Sequence, residues 1–435
     1  MKGLVEVREF QVITSNKEYE GKKNYKFLPE PAFSQLIDFI ESYVGSEEHA
    51  DAMDFMRVYK SKDRKLGTLV SVNNYVGLVQ LKSGYQVQIL PKIDLAEDSK
   101  KTLIKMLKNL KDLPGKISSN ADLKISNMNL YEIYINMYLN DVYSLLKHGM
   151  KSAYVSQEDN LKFYKGKLRV NEQIKYNFAH QERFFVSYDE FLPDRPENRL
   201  VKSTLLKLKK ISSSAQNIKE INRLISAFDQ VSISSNFEND FSKVIIGRNT
   251  QDYKNLMKWS KVFLFNKSFT TFSGNTPSRA ILFPMEQVYE SFVAKKIKKA
   301  FKNWSVSAQD REYYLFEELN STKRKIFGLI PDIVIRRGNS TVILDTKWKR
   351  LIPDIKKNYG ITSADMYQMY VYAMKYAKNN VIPEIWLLYP MTNEMKNSFM
   401  FESNDGVKVH VFFVNIDEIE ASLDLLKSEI DKITI

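Results

Sequence analysis

The chain has 435 residues, 43% of them hydrophobic, and carries 65 Lys and Arg against 52 Asp and Glu. That length accommodates two or three domains with packed cores, and the net charge of +13 favours an anionic partner, nucleic acid foremost. The absence of Cys excludes disulfides, thiolate zinc sites, iron–sulfur clusters and a Cys nucleophile, and the four His (His49, His148, His180, His410) are too dispersed to suggest a His-built zinc site.

Two further absences bear on function. No apolar run approaches the ~18 residues of a membrane span, and the charges within Met1–Glu9 interrupt the apolar stretch that a signal peptide requires. The expectation is a cytoplasmic protein. The phosphate-cradling pattern GxxxxGK followed by Ser or Thr is also missing. Gly21-Lys22, Gly115-Lys116 and Gly166-Lys167 each lack the following hydroxyl residue and the earlier Gly. Any nucleotide energy must therefore come from a partner.

Along the chain, residues 1–95 read as mostly β. Gly67–Leu81 and Tyr85–Lys92 alternate apolar and polar residues around a Ser83-Gly84 turn. Helical spacing predicts helices over Lys100–Leu110, Leu130–Leu146, Asn198–Leu208 and Ile218–Phe228, with loops at Ser212–Ser214 and Ser232–Asn239. From Phe283 the order changes. Met285–Lys302 is a predicted helix, and Glu312–Glu317, Lys325–Arg337 and Thr341–Trp348 are predicted strands. A turn at Arg337–Ser340 separates the last two. Helix Ala364–Lys378, strand Glu384–Tyr389, strand Val407–Val414 and helix Asp417–Lys432 follow. The order is α-β-β-β-α-β if Ser305–Gln309 and Glu312–Glu317 form one broken strand. The reading is an α+β protein of three parts: a β-rich segment over 1–125, a helical segment over 126–275 and a mixed-sheet α/β core over 276–435.

The strongest chemical signal is Pro331-Asp332 followed by Asp345-Thr346-Lys347. Strand side chains alternate, so Asp345 and Lys347 share a face, and the turn between the strands can bring Asp332 beside Asp345. Two carboxylates so placed repel each other unless a cation lies between them. Oxygen ligands without His or Cys suit Mg²⁺ or Mn²⁺. Lys347 can orient or deprotonate a water or stabilise a phosphoryl transition state. Glu290 is the next candidate ligand, with Glu286 one turn earlier as its competitor. Gln368 and Tyr372, four apart, share a helix face, and the glutamine amide can hold a phosphate or a water.

Glu290, Asp332, Asp345-Thr346-Lys347 and Gln368-xxx-Tyr372 together resemble the PD-(D/E)xK nuclease superfamily and its QxxxY branch. Wider matches resemble the McrC family. They are Asn74-Tyr75-Val76-Gly77, Ile89-Leu90-Pro91-Lys92-Ile93, Gly166-Lys167-Leu168, Pro196-Glu197-Asn198-Arg199, Phe283-Pro284-Met285 with Tyr289-Glu290, and Asp365-Met366-Tyr367-Gln368. They run in order over about 75–375. The resemblance implies a Mg²⁺-dependent endonuclease subunit of a 5-methylcytosine-directed restriction system. It also implies an McrB-like AAA+ GTPase hexamer as partner and modified double-stranded DNA as substrate. The catalytic residues would be Asp332, Asp345, Lys347, Glu290 and Gln368, with Asp332, Asp345 and Glu290 on the metal. The N-terminal β region would face the motor. A non-catalytic activator of the motor is the alternative from a different class, and retention of the acidic residues and Lys347 argues against it. A RecB-like repair nuclease is a third reading, opposed by the Asn74–Ile93 pattern.

Charge supports a DNA-facing C-terminal region. Residues 276–380 hold 19 Lys and Arg against 10 Asp and Glu, whereas 381–435 hold 4 against 10. The surplus nominates Lys298, Lys299, Lys323, Arg324 and Lys349 as phosphate contacts. Purified alone, the chain is expected to turn over neither GTP nor ATP. Sustained phosphate release by a contaminant-free preparation would reveal a nucleotide site that the sequence does not contain.

Overall fold

Apolar residues at alternate positions build the first ninety residues into two small sheets. The computed structural model describes residues 3–44, 55–92, 99–110, 129–265, 279–318, 324–378 and 381–433. Strands β1 (Leu4–Arg8), β2 (Val12–Thr14), β3 (Tyr25–Phe27), β4 (Met56–Lys60), β5 (Thr68–Val72), β6 (Tyr75–Gln80) and β7 (Gln86–Leu90) are joined by helix α1 (Glu30–Val44) and followed by α2 (Ser99–Leu107). One sheet has the order β3-β2-β5-β4, and the other runs β1-β7-β6 and continues into β11 (Arg279–Pro284). The expected single strand over Gly67–Leu81 is thus two strands in different sheets. The break falls at Asn73-Asn74, where the amide side chain of Asn74 donates to Glu286 Oε1 at 2.8 Å.

The chain forms two compact units, one from Lys2–Leu113 together with Leu282–Ile435, the other from Pro114–Ile281. The first and last segments of the sequence reading therefore lie in one unit. In the middle unit, α3 (Leu130–His148), α4 (Val170–Asn177), α5 (Pro196–Ile211), α6 (Ala215–Ser226), α7 (Phe237–Ser242) and α8 (Tyr253–Phe265) surround apolar side chains such as Tyr134, Tyr138, Leu205 and Trp259. This unit is not purely helical as expected. It also holds an antiparallel sheet of order β8-β10-β9, with β8 (Ala153–Leu161), β9 (Lys167–Leu168) and β10 (Phe184–Leu192). Helix α7 begins inside the expected Ser232–Asn239 loop, where Asn236 accepts a hydrogen bond from the backbone of Asn239 at 3.0 Å and caps it.

The larger unit is completed by α9 (Met285–Ala300), a six-stranded mixed sheet, α10 (Ser363–Tyr376) and α11 (Ile419–Ile433). Met285, Val288, Tyr289, Phe292, Val293 and Ile297 give α9 one buried face. The sheet order is β12-β15-β16-β17-β19-β18, from β12 (Ser305–Ala308), β15 (Ile333–Arg337), β16 (Ser340–Thr346), β17 (Glu384–Pro390), β18 (Phe399–Glu402) and β19 (Lys408–Val414). The α-β-β-β-α-β order holds with α9, β12, β15, β16, α10 and β17. Its first two strands are shorter than expected. Ser305–Gln309 and Glu312–Glu317 are not one strand, and Lys325–Arg337 is not continuous, because β13 (Tyr314–Glu317) and β14 (Lys325–Gly328) form a separate hairpin between β12 and β15. Pro331, without an N–H to donate, separates β14 from β15. The central strands β15, β16 and β17 are buried on both sides. Among the described residues, no helix is long and apolar enough to cross a membrane.

The middle unit depends on a buried carboxylate. Glu132 on α3 accepts hydrogen bonds from Ser212 Oγ at 2.8 Å, Ser213 N at 2.6 Å and Asn217 Nδ2 at 2.8 Å. Ser213 Oγ donates to it as well, at 3.1 Å, so replacing Glu132 takes the shared acceptor from a cluster of donors away from water. Glu132→Ala is expected to lower stability by about 2–4 kcal/mol. A chemical denaturation curve superimposable on wild type would show that water replaces the carboxylate at no cost.

Candidate active site

The antiparallel register of β15 and β16 pairs Ile333 with Leu344. One step further in each direction places Asp332 beside Asp345. Asp345 is 1% exposed, in the buried half of β16. Asp332 precedes β15, and its Oδ2 accepts from both Thr346 N at 2.7 Å and Thr346 Oγ1 at 2.6 Å. Thr346 thus fixes one carboxylate while its neighbour Asp345 carries the other.

Lys347 continues the alternation from Asp345, and its Nζ lies 2.6 Å from Asp345 Oδ1. It donates to Gln368 Oε1 at 3.0 Å and stands 4.0 Å from Asp365. Gln368 in turn donates to the Tyr372 hydroxyl at 2.8 Å, which donates to the carbonyl of Ile330 at 3.2 Å. This relay runs from the lysine through α10 and returns to the segment that positions Asp332. Helix α10 begins at a capping box in which Thr362 Oγ1 donates to Asp365 Oδ2 at 2.6 Å and accepts from Asp365 N. The cap therefore anchors the helix turn carrying Gln368.

The electrostatics follow from this crowding. Burial pushes the Asp345 carboxyl up to about 7, with the Asp332 charge adding to the effect and Lys347 opposing it. Burial also raises Asp332, against the donors from Thr346. For Lys347 burial favours the neutral amine, but Asp345, Asp332 and Asp365 outweigh it and hold the ammonium above its ordinary value. Burial raises the Tyr372 phenol, so it remains a donor.

The cleft around these groups has a volume of about 350 Å³, and Glu286, Glu290, Lys349 and Trp348 also line it. Asp332, Asp345, Lys347 and Gln368 are therefore brought together as the sequence predicts. Glu290 reaches the cleft, where its Oε1 accepts from Gln309 Nε2 at 3.1 Å. Among the described residues, no group of three His, Cys, Asp or Glu is placed to hold a metal. The donor set is the Asp332–Asp345 pair, all oxygen, with Asp345 Oδ1 facing no hydrogen-bond donor except the Lys347 ammonium. That set fits a hard cation retaining several waters, as Mg²⁺ does. Of the expected phosphate contacts, Lys349 lines the cleft. Lys298 and Lys299 sit in the last turn of α9, roughly 12 Å along the helix from Glu290, and Arg324 precedes the β13–β14 hairpin's second strand. None of these three lines the cleft, and Lys323 lies outside the described residues.

Sequence reasoning missed three contributors. Asp365 was legible as the residue three before Gln368 on the same helix face, and Thr346 as the residue between the two motif positions. Glu9 gave no local signal. It is 1% exposed, just past β1, and accepts from Trp348 Nε1 at 3.1 Å through both oxygens and from Lys92 N at 3.0 Å. It thereby ties the strand-end of β7 to the residue immediately after Lys347, and Trp348 also packs against Tyr289 with ring centroids 5.2 Å apart.

The family model described as McrBC 5-methylcytosine restriction system component matches residues 70–390. The chain is similar to a solved structure described as a refined half-complex from a tetradecameric assembly of Thermococcus gammatolerans McrB AAA+ hexamers with bound McrC. The TM-score is 0.68 and the identity 18%, covering 97% of this chain and 100% of that one. A second similar structure, described as the Thermococcus gammatolerans McrBC complex, gives a TM-score of 0.47 at 20% identity, over 67% of this chain and 85% of that one. No curated protein matches.

Burial holds the Glu9 carboxyl up to about 8, from an ordinary 4.5, against the donors from Lys92 and Trp348. Between those values the folded chain keeps a proton that the unfolded chain has released, so stability falls as pH rises through that window. Glu9→Gln keeps one acceptor oxygen and cannot ionise. It is expected to match wild type near about pH 4 and to exceed it by up to roughly 4 kcal/mol near about pH 9. Thermal melts across that range provide the measurement, and a difference independent of pH would show that Glu9 titrates alike in the folded and unfolded chain.

Proposed function

The chain belongs to the family of McrBC 5-methylcytosine restriction system components, and from that premise we propose that it is the DNA-cleaving subunit of such a system. In this reading it is a Mg²⁺-dependent endonuclease, with Mn²⁺ able to substitute, that cuts modified double-stranded DNA while bound to an McrB-like AAA+ GTPase hexamer whose hydrolysis it stimulates. The observation that carries the reading is the convergence of Asp332, Asp345, Lys347 and Gln368 in one cleft. The fold shared with a chain described as bound to McrB hexamers supports the partner, as does the lack of a phosphate-cradling loop.

Each residue has a role that follows from its surroundings. Asp332 and Asp345 would hold the cation, with Glu290 on the cleft wall able to act through an intervening water. A cation there supplies positive charge against the phosphodiester and acidifies water. Thr346 keeps Asp332 oriented by two hydrogen bonds. Lys347 presents an ammonium that is fixed by Asp345 and Gln368 and is positioned to donate to a phosphate oxygen as negative charge develops. The Gln368 amide, steered by Tyr372, orients that lysine. Lys349 on the cleft wall attracts the DNA backbone.

Asp345→Ala is expected to lower cleavage by the assembled complex by roughly a hundredfold or more. Lys347→Ala should do the same while sparing metal binding. Asp345→Ala should fold, because removing one of two crowded carboxylates relieves repulsion; Lys347→Ala should fold with a further raised Asp345 carboxyl, because it takes away the ammonium that opposes the shift. Both should also still stimulate the partner's nucleotide hydrolysis. The measurement is DNA cleavage and phosphate release on the same preparations, with partner, GTP and Mg²⁺. If Asp345→Ala cuts at the wild-type rate, the nuclease reading is wrong and the chain is an activator of its motor.

A further inference from the structure

Next to the catalytic cleft lies a second one of about 330 Å³. Its cations come from two distant parts of the sequence. Lys92 follows β7, and Lys349 and Arg350 follow the Asp345-Thr346-Lys347 motif. Phe10 and Trp348 supply apolar walls, and Met391 beyond β17 adds another side. Among the described residues, no acidic side chain lines this cleft. Arg350 has Glu394 at 3.7 Å, a solvent-exposed carboxylate whose attraction is screened. Lys92 Nζ stands 5.3 Å from the centre of the Phe10 ring, so its ammonium is held over the opening.

The two clefts are continuous in composition, because Trp348 and Lys349 line both. Their shared wall is rigid. Glu9 accepts from the Lys92 backbone and from the Trp348 indole, which fixes the segment carrying one cation to the segment carrying the other two. An opening lined by three cations, walled by two aromatic rings and set beside a carboxylate–lysine centre, matches a phosphodiester flanked by its sugars.

We propose that this cleft binds a backbone phosphate of the same DNA strand, next to the one being cut, through Lys92 and Arg350. The proposal rests on the nuclease reading and extends it, since it gives the N-terminal β region a direct hold on the substrate. It accounts for the lysine of the Ile89-Leu90-Pro91-Lys92-Ile93 motif, which otherwise has no role in the chemistry.

The test is binding of a short fluorescent duplex to the isolated full-length chain in EDTA, where no cleavage occurs, over a range of salt concentrations. The paired Lys92→Ala, Arg350→Ala variant is expected to bind roughly tenfold or more weakly. The slope of log affinity against log salt should become shallower by about one to two. Lys92→Arg with Arg350→Lys, which preserves both charges, should bind nearly as wild type. Unchanged affinity and slope in the alanine pair, or no duplex binding by wild type, would overturn the proposal. Unchanged DNA binding combined with lost stimulation of the partner's hydrolysis would also overturn it and assign the cleft to an acidic segment of that partner. The cleavage assay of Asp345→Ala separates the two levels. If that variant is inactive while the alanine pair binds DNA normally, only the phosphate cleft falls. If it still cuts, the nuclease reading falls with it.

Discussion

The site depends on two carboxylates held side by side, Asp345 within β16 and Asp332 just before β15. The β15–β16 register places Asp332 against Asp345, and burial removes the water that would otherwise screen them. Such a pair cannot carry two full charges without compensation. The molecule offsets part of the cost with the backbone and hydroxyl of Thr346 and the ammonium of Lys347. The rest appears as an Asp345 carboxyl raised to about 7. In the proposed reading, a divalent cation would offset this deficit of positive charge.

Compensation then spreads outward. Lys347 must be oriented to serve Asp345, and Gln368 does this from α10. Gln368 is oriented by Tyr372, which hydrogen-bonds the Ile330 carbonyl two residues before Asp332. The relay closes on itself. The Gln368–Tyr372 spacing is thus a structural requirement on the helix: the two side chains must lie on one face to bridge the lysine and the loop.

Much of this centre was readable because it is local. Period-two alternation links Asp345 to Lys347, a glycine turn at Gly338 folds Asp332 back, and a four-residue step joins Gln368 to Tyr372. What sequence could not show was either remote or without a burial pattern. Glu9 acts on Trp348 from the other end of the chain, with nothing nearby to mark it. Strands β8 and β10 escaped notice because few of their residues are buried on either face, so hydrophobicity does not alternate along them. Lys298 and Lys299 were selected for charge density, which does not record distance along a helix. They stand at the end of α9, where cations complement the helix dipole. The break between β14 and β15 was hidden because β propensity continues across Pro331, which pairing does not.

The clasp between Glu9 and Trp348 joins residues separated by 339 positions. Thr102 and Lys105 on α2 make comparably distant contacts to Ile416 and Asp417 before α11. A ribosome adding ~5–20 residues per second therefore exposes the first strands for tens of seconds before the partners that bury Glu9 exist. During that interval the residues of the middle unit have all been made, whereas the N-terminal sheet waits with unpaired apolar surface. Assembly of the larger unit is consequently a late, long-range closure, and the Asp332–Asp345 cleft belongs to that same unit.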